Sequence, residues 1–433
     1  MTETQKTGIA ARRGAVSLLQ LVVMERRMLS EAIALEEGPL SKLSPADRAR
    51  AQSLASLVLR HVTQLDAVLD TFFKKSPPLK ARNALRVCAA EILLEDIPAH
   101  AAVNAAVQVL RSSQKTAHLT GMANAVGRRL EADGPKLLAA QPNKRLPKAI
   151  RGAVAKSLGE PVTKAIEAAH LKRPPVDFTL RNSDETEKWA AELNAEILPT
   201  GSLRLQRAGQ ISKLPGFDDG AWWVQDAAAA LPARLLGNIN KKRALDICAA
   251  PGGKTLQLLA AGAEVEALDI SNERMDRLRE NLDRTQMGAW VIVADALEWQ
   301  PEGKFDAILL DAPCSATGTI RRHPDLPHVR PEIDLRPLLK LQQKLLQRAM
   351  GWLKPGGRLV YATCSLIPAE GERQIAQLLE EMPDAKTVPF DPTDFGCEAE
   401  WQDGPGSLRL RPDYWPERGG MDGFYMALLE RKT

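Results

Sequence analysis

The chain has 433 residues, 44% of them apolar and 26% charged. This is ordinary globular composition at a length that suits two or three domains. No run of about 18 uncharged apolar residues occurs, so no transmembrane helix is expected, and the N-terminal segment lacks a signal-peptide layout. Five widely spaced cysteines, without a CxxC pair, argue against a disulfide framework and fit a reducing cytoplasm. The six histidines show no ligand spacing, so no metal site is expected.

The net charge of +4 is unevenly spread. Residues 1–140 carry 19 Lys and Arg against 13 Asp and Glu, residues 141–240 carry 14 against 11, and residues 241–433 carry 25 against 30. A basic front half on a mildly acidic back half suits contact with a polyanion at the front, although a solvated surface gives the same balance.

Residues 9–130 read as helices. Apolar residues recur at helical spacing, alanine and leucine dominate, and connections are short, as in a helical bundle. Ser44-Pro45 is an N-cap followed by proline at the first helical position. Cys88 falls on an apolar face and is expected in the core. The pattern breaks from Gly134 to Pro147, where a linker is expected. Residues 148–225 mix two helices, a strand at VDFTLRN, a helix from Ser183, and short strands at SLRLQRA and AWWVQD, a small α/β unit. From Arg243, apolar runs (RALDICAA, AEVEALDI, AWVIVAD, FDAILLDAP, GRLVYATCS) alternate with helical stretches, which predicts a parallel sheet covered on both faces. FYMALLER adds a late strand. The domains expected are 1–140, 141–225 and 226–433.

Doubly wound sheets bind ligands beyond the carboxyl ends of their strands. The first strand here runs into DICAAPGGKT, whose small residues Cys248, Ala249, Ala250, Pro251, Gly252 and Gly253 let backbone approach a ligand ahead of Lys254. The next strands end in Asp269, Asp295 and Asp311. A carboxylate about 20 residues past a glycine loop can accept from a ribose diol; Asp295 is placed for an adenine or its ribose. One such Asp would most simply cap a helix, but three in succession weaken that reading. G-x-G-x-x-G is absent, and Cys248 stands where a phosphate-binding loop needs its first glycine. A mononucleoside without phosphate fits better, and S-adenosylmethionine is the common one.

Two further cysteines, Cys314 in DAPCSATGT and Cys364 in TCS, lie just past apolar strands at this ligand end. A thiolate added to C6 of a pyrimidine makes C5 nucleophilic enough to take a methyl group, and a base must then remove the C5 proton. Asp311 could hold the N3/N4 edge of the base and Lys254 could steady charge on the ring.

On DICAAPGGKT (246–255), ALDIS (267–271), DAPCSATGTIRRHPD (311–325), LKPGGRLVYATCS (353–365) and DGFYMALL (422–429), the chain resembles the RNA (cytosine-5) methyltransferases, closest to their bacterial 16S ribosomal RNA branch. The resemblance covers nearly the whole chain. It implies a multidomain fold: an all-α NusB-like RNA-binding bundle, a small α/β connecting domain that includes Gln225-Asp226-Ala227, and a C-terminal Rossmann-like methyltransferase domain. It implies Cys364 as nucleophile, Cys314 as the residue that resolves the covalent intermediate, and a flipped cytosine, position 967 of 16S rRNA, as target. A monomer is expected. The chain departs from the family at Gly371, where Asn is common after P-E-E, and at Leu326-Pro327-His328, where a basic residue and Trp are common. Arg321 and Arg322 could bind phosphate; Cys397 has no functional context. The alternatives are the same reaction on tRNA or another RNA, and a non-catalytic RNA-binding assembly factor.

Overall fold

Alanine- and leucine-rich segments fold as the helices Glu3–Glu25 (α1), Leu29–Ala34 (α2), Pro45–Asp70 (α3), Leu79–Leu94 (α4), Ala99–Arg111 (α5) and Thr120–Ala139 (α6). The computed structural model describes residues 3–143, 146–332 and 334–433. Ser44 caps α3 by accepting from the Asp47 amide at 3.2 Å, with Pro45 next in line. Leu18, Leu54, Leu85, Leu110 and Leu130 share one core, and Cys88 is buried in it. Glu91 is fully buried in the bundle and accepts from Arg12 Nε at 2.8 Å and Arg50 Nη2 at 2.9 Å.

The linker expected from Gly134 starts later in the structure, because α6 runs through Gly134 and Pro135 to Ala139. Gly134 is buried against Leu93, whose Cδ2 would lie 2.8 Å from an added Cβ. Packing there outweighs the local preference of the Gly-Pro pair.

Within the described residues the chain divides into two compact units. The helical one takes in residues up to Arg151, Thr163–Leu171 and Ile320–Glu332; the other comprises Gly152–Val162, Lys172–Thr319 and the chain after Glu332. The segment Ile320–Glu332 is held by side chains of the bundle. Arg60 Nη1 donates to the carbonyls of Arg321 and His170, each at 2.7 Å, and the Leu29 amide donates to Asp325 Oδ2 at 2.8 Å. Arg321 is only 1% exposed, so it is not available to bind phosphate as the sequence suggested; Arg322 is exposed.

The second unit contains two sheets. Val176–Leu180 (β1), Glu196–Ile197 (β2), Leu203–Leu205 (β3) and Trp222–Val224 (β4) form a small sheet in the order β2-β3-β1-β4, antiparallel throughout. It packs on the helix Thr186–Leu193 through Phe178, Trp189, Leu203 and Trp222. Asp177 Oδ2 of β1 accepts from the Ala227 amide at 3.0 Å, which ties this sheet to the chain that leads into the large one.

The large sheet is built from Arg243–Ile247 (β5), Glu264–Asp269 (β6), Trp290–Val293 (β7), Phe305–Asp311 (β8), Leu353–Thr363 (β9), Ala385–Thr387 (β10), Ser407–Leu410 (β11) and Phe424–Arg431 (β12). Its order is β10-β12-β9-β8-β5-β6-β7, with β11 also on β12. Strands β5 to β9 are parallel, as expected. The C-terminal strand β12 lies antiparallel to β9, β10 and β11, so the sheet is mixed. Alternate residues of its central strands enter opposite cores: Leu245, Ile308, Leu359 and Tyr425 on one face, and Ala244, Leu309, Val360 and Met426 on the other. Burial on both faces is why these strands read as continuous apolar runs. Among the described residues, no helix is long and apolar enough to cross a membrane.

Candidate active site

Strand order reverses between β5 and β8, and a crevice at such a switch point is where open α/β sheets take ligands. The predicted loop follows β5. The Cys248 and Ala249 amides donate to Leu268 O at 2.8 and 3.2 Å, which lays the loop across the end of β6. Cys248 (φ 62°) and Gly252 (φ 106°) both take left-handed backbone, which turns the chain into the helix Gly253–Ala260. Arg274 Nη2 donates to Ala250 O at 2.5 Å, and Asn281 Nδ2 to Pro251 O at 3.2 Å. Burial first, then the charges of Asp269 and Asp311, push the Cys248 thiol well up.

The predicted carboxylates lie at or just past strand ends. Asp269 ends β6, is 3% exposed, and accepts from the Ser271 amide at 2.9 Å and the Ala250 amide at 3.3 Å. Capping of the following helix falls to Ser271, which accepts from the Arg274 amide at 3.3 Å. Asp295, half-buried past β7, accepts from the Leu297 amide at 2.8 Å. Asp246, at 0% exposure within β5, accepts from Thr255 Oγ1 at 2.6 Å through Oδ2, while its Oδ1 has no partner. Burial raises its carboxyl from 3.8 to about 7.

Asp311 ends β8 and pairs with Lys254 Nζ at 2.7 Å. Burial lowers the Lys254 pKa, but the charge and hydrogen bond of Asp311 outweigh it and hold the ammonium above its ordinary value. The Phe424 ring lies 5.4 Å from that ammonium. In the parallel register Asp311 stands opposite Ala362, so Cys314 and Cys364 leave neighbouring strands together. Their sulfurs are 3.5 Å apart, and both side chains are half-buried. The contact with Cys364, followed by burial, holds the Cys314 thiol well above its ordinary value. Cys364 lies close enough to the Lys254 ammonium to act on it.

Cys88 is buried in the core of the helical unit, and Cys397 in one core of the second unit. Several groups that reasoning from sequence missed stand behind the thiols. Gly318 and Gly423 meet backbone to backbone, and a Cβ on Gly318 would lie 2.0 Å from Gly423 O. Glu370, fully buried, accepts from Ser315 and Ser365. The available signal was that a serine follows each cysteine.

The residues present suit S-adenosylmethionine. Carboxylates stand at the ends of β6 and β8 and just past β7, a close-approach loop carries no bulky side chain, and the buried Asp246 Oδ1 lacks a partner.

Residues 233–430 match the family model described as 16S rRNA methyltransferase RsmB/F, and residues 9–132 match the NusB family. Ribosomal RNA small subunit methyltransferase B of Klebsiella pneumoniae is 36% identical over 402 residues, covering 88% of this chain and 92% of that protein. The protein of the same name from Vibrio cholerae is 35% identical, covering 97% of each. The crystal structure of PH0851 superposes with a TM-score of 0.73 at 24% identity over 100% of both chains, a likeness of fold. A methyltransferase homolog from Pyrococcus horikoshii gives 0.53 at 27% identity, covering 65% of this chain and 93% of that one. The cofactor is S-adenosylmethionine. The chain belongs to the ribosomal RNA small subunit methyltransferase B family, with a NusB-type helical domain ahead of its methyltransferase fold.

Proposed function

We propose that this protein methylates carbon 5 of a cytosine in 16S ribosomal RNA, cytosine 967, through a covalent adduct between Cys364 and C6 of the base. The observation that carries this reading is the pair of sulfurs 3.5 Å apart beside the Lys254–Asp311 ion pair. The family match supports the ribosomal RNA substrate. Residues 1–140 form the RNA-binding domain, residues 141–225 connect, and residues 226–433 carry the chemistry.

In this reading, Cys248 to Lys254, with Asp269, Asp295 and Asp311, hold the cofactor, which supplies an electrophilic methyl group. Asp269 accepts from ribose hydroxyls and Asp295 serves the adenosine end. Asp311 also accepts from the cytosine N4 amino group, and Lys254 balances charge that develops on the ring. The Cys364 thiolate forms the S–C6 bond, and the C5–C6 pair moves so that C5 takes the methyl group. Cys314 keeps its proton until release. It passes that proton to the departing Cys364 sulfur while receiving the C5 proton, and the C5–H electron pair re-forms C5=C6 as S–C6 breaks. The resemblance to the RNA (cytosine-5) methyltransferases, whose TC cysteine attacks the base, supports Cys364 as the nucleophile.

The thiols are tested one at a time on unmethylated 16S rRNA. Cys364→Ala is expected to abolish methylation and form no denaturant-stable adduct, whereas Cys314→Ala accumulates such an adduct. Turnover by Cys364→Ala with none by Cys314→Ala would reverse the two roles.

A further inference from the structure

Each thiol is followed by a serine, and both serines converge on one carboxylate. Glu370 lies in the short turn Pro368–Glu370 and is 0% exposed. Its Oε2 accepts from Ser315 Oγ at 2.5 Å and Ser365 Oγ at 2.6 Å. Its Oε1 accepts from the Ser315 amide at 2.8 Å and from Gln342 Nε2 at 3.0 Å. Gln342 also donates to the carbonyl of Pro313, the residue before Cys314, at 2.8 Å. The turn is itself anchored, since Tyr361 Oη donates to Glu370 O at 2.8 Å. The network closes through Thr317: its Oγ1 accepts from the Leu366 amide at 2.9 Å and lies 3.3 Å from Ser365 Oγ.

We infer that Glu370 is a positioning residue, whose buried carboxylate clamps the DAPC and TCS loops so that the two sulfurs stay in contact. This rests on the proposed chemistry of the two thiols. Glu370 does not meet the substrate itself, because its side chain is fully buried. It acts through the residues that immediately follow the thiols. Consecutive Cα atoms are about 3.8 Å apart, so fixing Ser315 and Ser365 leaves the preceding Cα atoms little freedom. Hydrogen bonds to a carboxylate are about twice as strong as neutral ones, which suits a clamp made from four donors. A hydrophobic residue at 370 would leave those donors unsatisfied, and a glutamine would turn an amide NH₂ towards donors. The charge of Glu370 also helps keep the proton on Cys314, after the larger effects of Cys364 and burial.

The test reads sulfur geometry separately from turnover, in the full-length chain. Phenylarsine oxide bridges two thiols only when both are within reach of one arsenic atom. Glu370→Gln is expected to weaken that bridging and lower kcat about 10²-fold, the loss typical of a misplacement near 1 Å. The KM for RNA and the affinity for S-adenosylmethionine stay unchanged. Ser315→Ala and Ser365→Ala each remove one donor and are expected to show the same pattern to a smaller degree, which keeps the test decisive if Glu370→Gln does not fold. Wild-type bridging and kcat in Glu370→Gln or in both serine variants would overturn the assignment, as would a loss of cofactor affinity in parallel with kcat. Failure of the thiol chemistry is read independently: if Cys314→Ala accumulates no adduct, that reading falls, while arsenical bridging still reports on Glu370.

Discussion

Two glutamates, each at 0% exposure, solve the problem of a buried carboxylate in opposite ways. Glu91 in the helical unit lies between Arg12 and Arg50 at 2.8 and 2.9 Å, and its ion pairs join three helices. Glu370 in the methyltransferase unit is met by two serine hydroxyls, an amide nitrogen and a glutamine. A charge-paired carboxylate holds elements together but tolerates movement of long arginine side chains. A carboxylate held by short hydroxyls and backbone fixes loops closely. The first arrangement suits a bundle and the second suits a pair of thiols held in contact. Asp246 has neither full set, with one hydroxyl on Oδ2 and nothing on Oδ1, and its carboxyl is correspondingly pushed up to about 7.

The contrast can be broken most severely at Glu91. Glu91→Ala takes the buried carboxylate from Arg12, leaves Arg50 only its pair with Glu95, and is expected to cost about 3 kcal/mol. Calorimetry should show the helical unit melting earlier, with kcat per folded molecule unchanged. A matching fall in kcat would mean that the two carboxylates do not divide the work as described.

Asp246 gives a pH signature. Its folded carboxyl, raised from 3.8 to about 7, binds protons more tightly than in the unfolded chain. Its contribution to stability therefore falls as pH rises from about 4 to about 7, by a few kcal/mol. Asp246→Asn removes that decline, so melting of the variant and the wild type should diverge between about pH 4 and about pH 7. Parallel melting curves would contradict the raised value.

The smallest effect is expected beside Glu370. Gly371 departs from the family's asparagine, and a Cβ there would lie 2.7 Å from the Tyr425 ring and 2.8 Å from Arg409 Nη2. Arg409 is itself committed to Glu372 at 2.6 Å. Gly371→Asn is expected to cost about 1–3 kcal/mol through overpacking, read as a lower melting temperature. No loss would show that the ring and the arginine can move aside.

Much of the site was legible because each of its strands is an apolar run ending in a chemically distinctive residue. Asp269, Asp311, Cys314 and Cys364 fall where parallel register carries them. Strands β10 and β11 were not legible: AKT and SLRL are too short to show alternation, and they exist by pairing with β12. Arg321 sits in a polar stretch that reads as surface, yet its carbonyl is captured by Arg60, 261 residues earlier in the chain. Glu370 lies in a turn without periodicity, and only the folded chain reveals that Ser315 and Ser365 share it.

The most direct test of cytosine-5 methylation uses the purified protein, tritiated S-adenosylmethionine and unmethylated 16S rRNA beside a tRNA pool, with the labelled base mapped. Label at C5 of a single 16S cytosine, position 967, is the predicted result. Label confined to tRNA, or RNA bound with no label transferred, would contradict it.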